Sequence, residues 1–331
     1  MRVYLDQNKW IELSRSRKGG STDDLADLWR LATAGVERGL VSFPLSAVHY
    51  YETTKRRDQQ SRWELAATMA ELSRLHTIAG SNTLVPLEVD AAVANLVGGA
   101  PPPIQAFGVG AAHALGAASD TFTGLFSLKE LRAAGVPDDM LDVVHRGLVD
   151  TVEFAVLALT EFSPNARAII AQTRTQMAAV NRKFADGQRS FAKGLAQHRL
   201  THRRDEGLTR FDFADILPLF TRACAERGVL PDPEQFKNIE IVERVLRDIP
   251  SKWIVREMRR VRHRNPQQPW TDSDLNDVNA LSGAVVYCDV VVTERQWARH
   301  LNHEGLAKLH GSTVLYDLRQ LPELLVAHST V

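Results

Sequence analysis

Arg2-Val3-Tyr4-Leu5-Asp6-Gln7-Asn8 is the stretch that decides the fold. Its apolar run predicts a short strand that delivers a carboxylate and an amide at its carboxyl end. Working outward to the other end of the chain, Asp289-Val290-Val291-Val292-Thr293-Glu294 does the same with β-branched residues and ends in a hydroxyl and a carboxylate. Apolar strands without polar alternation suit the centre of a parallel sheet, which is covered on both faces. Ligands of open α/β sheets gather at the carboxyl ends of such strands. Two acidic strand ends therefore predict a cation site.

The chain between them adds carboxylates on helices. Leu40 to Ser46 reads as a second strand, after which Ser46 caps a helix running through Ala47, Val48, Tyr51 and Glu52. Thr271 is a candidate cap for a helix that opens with Asp272, Asp274 and Asp277 and continues through Ala280, Leu281, Gly283, Ala284 and Val285. Acids in a first turn also favour the helix dipole, so Asp272 and Asp274 have an ordinary capping explanation. Asp277 lies deeper.

Strand-Asp, Ser-helix-Glu, Asp-helix and strand-Thr-acid, in that order, resemble the PIN-domain ribonucleases. Glu52 follows Ser46 by six residues, as that family's second motif has it, and Ala284 stands seven positions after Asp277, as in the third. Asp274 falls where some relatives are also acidic. In the fourth motif the acid usually comes two residues after the Thr. Here Glu294 follows Thr293 directly and Arg295 takes the usual place of the Asp. Asp289 competes as the fourth acid, but it begins its strand, five residues of ~3.3 Å each from the functional end, which favours Glu294 and leaves Asp289 a strand-start hydrogen bond.

The resemblance covers roughly the first eighty residues and the last sixty-five. It implies an α/β fold, a three-layer α/β/α sandwich with a parallel central sheet, built discontinuously from residues 1–90 and 266–331. Residues 91–265 are then an all-α insertion, since their patterns are helical: Thr151 to Thr160, Asn165 to Arg189, and the face of Phe211, Phe213, Ile216, Leu217 and Phe220. Gly98 to Pro103 and Asn265 to Pro269 are its expected hinges.

The implied activity is metal-dependent hydrolysis of phosphodiesters, with single-stranded RNA preferred and DNA left open. Asp6, Glu52, Asp277 and Glu294, with Asp274 beside them, would bind one or two Mg²⁺ or Mn²⁺ ions through oxygen. Asn8 and Thr293 would orient ligands or water. A domain that binds RNA or a protein partner through the insertion without cutting is the alternative, and self-association through the insertion is a further expectation.

Composition bounds these expectations. The chain has 331 residues, 44% apolar, enough for two cores, and its forty basic and forty acidic residues cancel, so any phosphate-binding surface must be local. Lys252 to Arg264 is the most basic stretch, and on a helix Arg256, Arg259, Arg260 and His263 share one face, a candidate nucleic-acid surface opposite Ile254, Met258 and Val261. His198 and His202 have zinc-helix spacing but no third ligand, which reads as a solvated helix. Cys224 and Cys288 are the only cysteines, arguing for a reducing compartment. With no apolar run of about eighteen residues and no leader-like start, the expected location is cytoplasmic, away from membranes.

Gly108-Val109-Gly110 lacks a preceding strand pattern and reads as a helix-start loop instead of a dinucleotide turn. A phosphatase using Asp6 as nucleophile would want an Asp two residues on, where Asn8 stands.

Overall fold

The computed structural model of the chain describes residues 1–17, 23–117, 127–159, 164–265 and 267–329. It is mostly helical, around a small parallel sheet. The helices of the first part are α1 (Gln7–Arg15), α2 (Asp23–Glu37), α3 (Ala47–Thr54), α4 (Gln59–Ser73) and α5 (Ser81–Leu96). Then come α6 (Gly110–Leu115), α7 (Leu128–Ala133), α8 (Leu141–Ala158), α9 (Pro164–Gln197), α10 (Arg204–Glu226), α11 (Ile239–Arg247) and α12 (Pro250–Arg264). The last are α13 (Asp274–Tyr287), α14 (Arg295–His303), α15 (Leu306–Leu309) and α16 (Leu321–Ser329). The strands are β1 (Val3–Leu5), β2 (His76–Ile78), β3 (Phe107–Val109), β4 (Val290–Val292) and β5 (Thr313–Leu315).

β1, β4 and β5 form a parallel sheet in that order, with Leu5 opposite Val292 and Val292 opposite Leu315. The apolar stretches at Val3–Leu5 and Val290–Val292 are thus neighbours. The expected strand from Leu40 to Ser46 is reduced to two parallel bridges, Arg2 with Ser42 and Leu45 with Thr77. Val3 N donates to Ser42 O (2.8 Å), and Leu45 N to His76 O (2.9 Å). Pro44, between them, has no N–H to give a ladder, which is why the strand breaks there.

Side chains on successive strand residues face opposite ways, and each face has its own core. Val3, Leu5, Val290 and Val292 pack with Trp10, Leu28, Phe43, Met69 and Leu325. Tyr4, Val291 and Val314 pack with Ile254, Met258, Val278, Leu281, Val285 and Trp297 on the other side. A third apolar cluster, away from the sheet, joins Val85, Val89 and Val93 of α5 to Phe213, Ile216 and Phe220 of α10, Leu246 of α11 and Trp253 of α12.

Several sequence expectations change here. Phe107–Val109 is a strand inside the stretch expected to be wholly helical, paired antiparallel with β2, and α6 starts directly after it at Gly110. Its three residues include Gly108, too weak a pattern to register as a strand. Helix α5 runs without interruption across residue 90, where the insertion was expected to begin, and packs on α10 and α12. On α10, Phe213, Ile216 and Phe220 are buried while Phe211 and Leu217 are exposed, so the buried stripe is narrower than expected. Thr160 and Pro266, the expected end of one helical run and part of one hinge, lie outside the described residues. The chain ends meet, with the Met1 amino group 3.1 Å from His328 Nε2. No described helix is long and apolar enough to cross a membrane.

Candidate active site

The strand ends set the geometry. Asp6 N donates to Val292 O (2.9 Å) and Thr293 N to Leu315 O (3.0 Å), so the ladder continues just past both apolar runs and brings Asp6 and Thr293 level. Thr293 Oγ1 donates to Asp6 Oδ2 (2.9 Å), while Asp6 Oδ1 accepts from Gln7 N (2.7 Å) and caps α1. Glu294 is one residue further, at the start of α14, exposed, and accepts from Asn8 Nδ2 (2.5 Å). Asn8 and Thr293 thus each donate to an acid at the strand ends. Asp289 sits at the far end of β4, where its carboxylate accepts from Arg2 N (2.6 Å), the strand-start bond expected of it.

Glu52 on α3 and Asp277 on α13 face the strand ends across a cleft of ≈ 490 Å³, which Asp6, Asn8, Glu52, Asp274, Asp277 and Glu294 all line. Helix α3 is fixed to β1 by a residue that the sequence reading passed over. His49, fully buried, accepts from Ser46 N at Nδ1 (2.8 Å), so its Nε2 carries the proton and donates to Leu5 O (2.9 Å). Burial pushes its pKa down to about 4, keeping it neutral. A His three residues after the capping Ser46 was the signal for this contact.

The acids act on one another. Burial raises the Asp6 pKa, helped by Glu294 and Glu52 and opposed by the bonds from Thr293 and Gln7. Burial, followed by the charges of Asp6, Glu294 and Asp274, pushes Asp277 up to about 8, against the bond it accepts from Trp297 Nε1 (3.0 Å). Glu52 accepts from Lys55 Nζ (2.5 Å) and from Asn276 Nδ2. Trp297 and Asn276, neighbours of motif residues, were not singled out in the sequence.

Asp274 departs from its expected metal-ligand role. Both its oxygens accept from Arg262 Nη2 (3.1 Å each), and Oδ2 also takes Thr271 N (2.6 Å) and Thr271 Oγ1 (3.0 Å). Its charge is matched by Arg262, and Oδ2 is shared among three donors. Thr271 was expected as the helix cap; α13 instead starts at Asp274 with Ser273 before it.

The basic face of α12 is also corrected. Arg256 and Arg259 are buried, at 5% and 3% exposure. Arg256 pairs with Glu257 and Glu243 and reaches Thr209; Arg259 pairs with Asp212 and bonds Gln188 (3.1 Å). Arg260 bridges Glu257 and Glu304. Spacing alone placed these guanidinium groups on a solvent face, whereas α10 and α11 bring acids to cover them. His198 and His202 are exposed, as expected, but they follow α9 in a turn and a short 3-10 helix instead of sharing one α-helix.

Among the described residues no three Asp, Glu, His or Cys side chains stand close enough to enclose a metal ion. The carboxylates face one cleft, where Lys55 and Asn276 donate to Glu52, Trp297 to Asp277 and Asn8 to Glu294. The donor chemistry nevertheless suits a small hard cation: oxygen only, mutually repelling, and with Gln7 Oε1 buried in the cleft wall without a donor among the described residues. Compared with known protein families, curated proteins and solved structures, the chain matches none.

Proposed function

We propose that the chain is a metal-dependent phosphodiester hydrolase of PIN-like type, an endoribonuclease acting on single-stranded RNA, with the sheet and its two helical faces forming a three-layer α/β/α sandwich. The observation that carries this reading is the juxtaposition of Asp6 and Thr293 on adjacent parallel strand ends, facing Glu52 and Asp277 across one cleft. Acids from four separate parts of the chain meet at the end of the sheet where ligands of such folds bind. Structural roles alone do not account for a carboxylate at Asp277 whose ionisation burial and neighbouring acids oppose.

Asp6, Glu52, Asp277 and Glu294 are the residues that would hold Mg²⁺ or Mn²⁺. Bound there, the ion would neutralise charge developing on the phosphate and make a coordinated water a better nucleophile. Thr293 fixes the Asp6 carboxylate by donating to one oxygen and Gln7 N fixes the other, so Asp6 cannot rotate freely. Asn8 does the same for Glu294, and Trp297 for Asp277. Such positioning lowers the reorganisation needed at the moment of reaction.

A binding-only module is favoured by one observation, the commitment of these carboxylates to protein donors. Incubating labelled single-stranded RNA with the protein and Mn²⁺, with EDTA as control, separates the two. Cation-dependent cleavage that disappears in Asp6→Asn supports the hydrolase; binding without cleavage in either condition supports the module.

A further inference from the structure

Arg262 enters the acid cleft from α12, outside every motif that resembles a nuclease. It is 6% exposed and lines the cleft with Asp6, Asp277 and Glu294. Its guanidinium carbon lies 5.8 Å from the ring centres of both Trp270 and Trp297. Trp297 in turn donates to Asp277, so a single indole links Arg262 to one of the acids of the cleft.

The donor inventory is unbalanced. A guanidinium has five N–H donors in a rigid fork. Among the described residues Nη2 serves Asp274 and Pro269 O (3.2 Å), Nε is buried without any acceptor, and nothing accepts from Nη1. An unsatisfied donor on a buried cation is costly, and a ligand oxygen that reaches the guanidinium from the cleft would offset that cost. A tetrahedral phosphate matches the fork.

We propose that Arg262 is a substrate-binding residue that holds a non-bridging oxygen of the RNA phosphate beside Asp277, with Asp274 serving to neutralise and aim it. This rests on the hydrolase reading and adds to it a phosphate contact supplied by α12. The competing role is that Arg262 only balances the buried charge of Asp274. The two roles separate when that charge is absent.

The experiment compares Asp274→Asn with Asp274→Asn/Arg262→Gln, so that no buried carboxylate is abandoned in either protein. Cleavage of single-stranded RNA in Mn²⁺ gives KM and kcat, and binding is measured with Asp6→Asn added to each, in EDTA, from low to moderate salt. The account expects kcat/KM to fall about ten- to hundredfold on loss of Arg262, the size of a charged hydrogen-bonded contact. The salt slope of binding should fall by about 0.7, the value for one phosphate contact on a single strand. Arg262→Lys in the otherwise native chain keeps the charge but loses the fork, and should raise KM several-fold without altering the melting transition. Equal kinetics and equal salt slopes in the first pair, or a native KM in Arg262→Lys, would overturn the proposal while leaving the hydrolase intact. A native chain that leaves RNA uncut would remove both.

Discussion

Asp277 sits where burial and the charges of Asp6, Glu294 and Asp274 all oppose ionisation, and its pKa of about 8 has a definite consequence for stability. A carboxyl raised in the folded state binds its proton more tightly there than in the unfolded chain. Its contribution is therefore fully present below about pH 4 and is lost as pH rises towards 8. Metal-free protein should lose thermal stability over that window, and Asp277→Asn should lose less, melting at or above the native chain at pH 8 and converging with it near pH 4. Calorimetry in EDTA across pH checks this; a mutant that melts lower at pH 8 by as much as at pH 4 would contradict it. With Mn²⁺ added, the native chain should gain about 2.7 kcal/mol when the free ion is a hundredfold above its Kd, and Asp277→Asn most of that less. A second residue-level prediction concerns the ends of β4. Glu294→Gln should lower RNA cleavage by orders of magnitude with little change in melting, because Glu294 faces the cleft. Asp289→Asn should act on stability, through its bond to Arg2 N, and spare the rate. Equal rate losses with unchanged melting would reverse the assignment.

At the scale of elements, α12 is the one whose role shifted most between sequence and structure. Its arginines were legible as a face but not as a buried one, because the acids that cover them, Asp212 on α10 and Glu243 on α11, are distant in sequence and follow no short motif. Strands β1 and β4 were legible because three consecutive apolar residues flanked by polar ones, Arg2 and Asp6 in one and Asp289 and Thr293 in the other, leave few alternatives. The segment from Leu40 to Ser46 was over-read as a strand, since its apolar pattern competes with the missing N–H of Pro44. β3, with a glycine among its three residues, was missed for the opposite reason. The candidate site was legible residue by residue for Asp6, Glu52, Asp277, Glu294, Asn8 and Thr293, which do share a cleft or contact its acids. The pairing of Asp274 with Arg262 was not legible, because spacing cannot reveal a partner on another helix. The pairing on α12 gives a prediction: Arg259→Met leaves the Asp212 charge buried alone and should cost about 3–5 kcal/mol, whereas adding Asp212→Leu should recover most of it. Urea unfolding of the two variants tests this, and an Arg259→Met midpoint equal to the native one would refute the buried pair.

On the scale of the whole molecule, the sheet needs both ends of the chain. β1 is paired with β4 almost 290 residues later, as Val3 with Val290, and the helix α5 ties the sheet's periphery to the α10–α12 cluster. A fragment of residues 1–96 should therefore lack a cooperative unfolding transition when expressed alone, because β1 loses its ladder with β4 and Tyr4 the side chains of α12, α13 and α14 that cover it. A sharp two-state melt of that fragment would show the sheet to be less dependent on the second half than the register implies. The central claim is that the cleft between the strand ends and α3 and α13 hydrolyses RNA with a bound divalent ion. Its most direct test is the single-turnover cleavage rate of a labelled single-stranded RNA in Mn²⁺, native chain against Asp6→Asn, both purified identically and confirmed folded by their melting curves. The account predicts cleavage by the native chain, none in EDTA, and a loss of at least a hundredfold in Asp6→Asn; equal rates in the two proteins, or native cleavage that persists in EDTA, would contradict it.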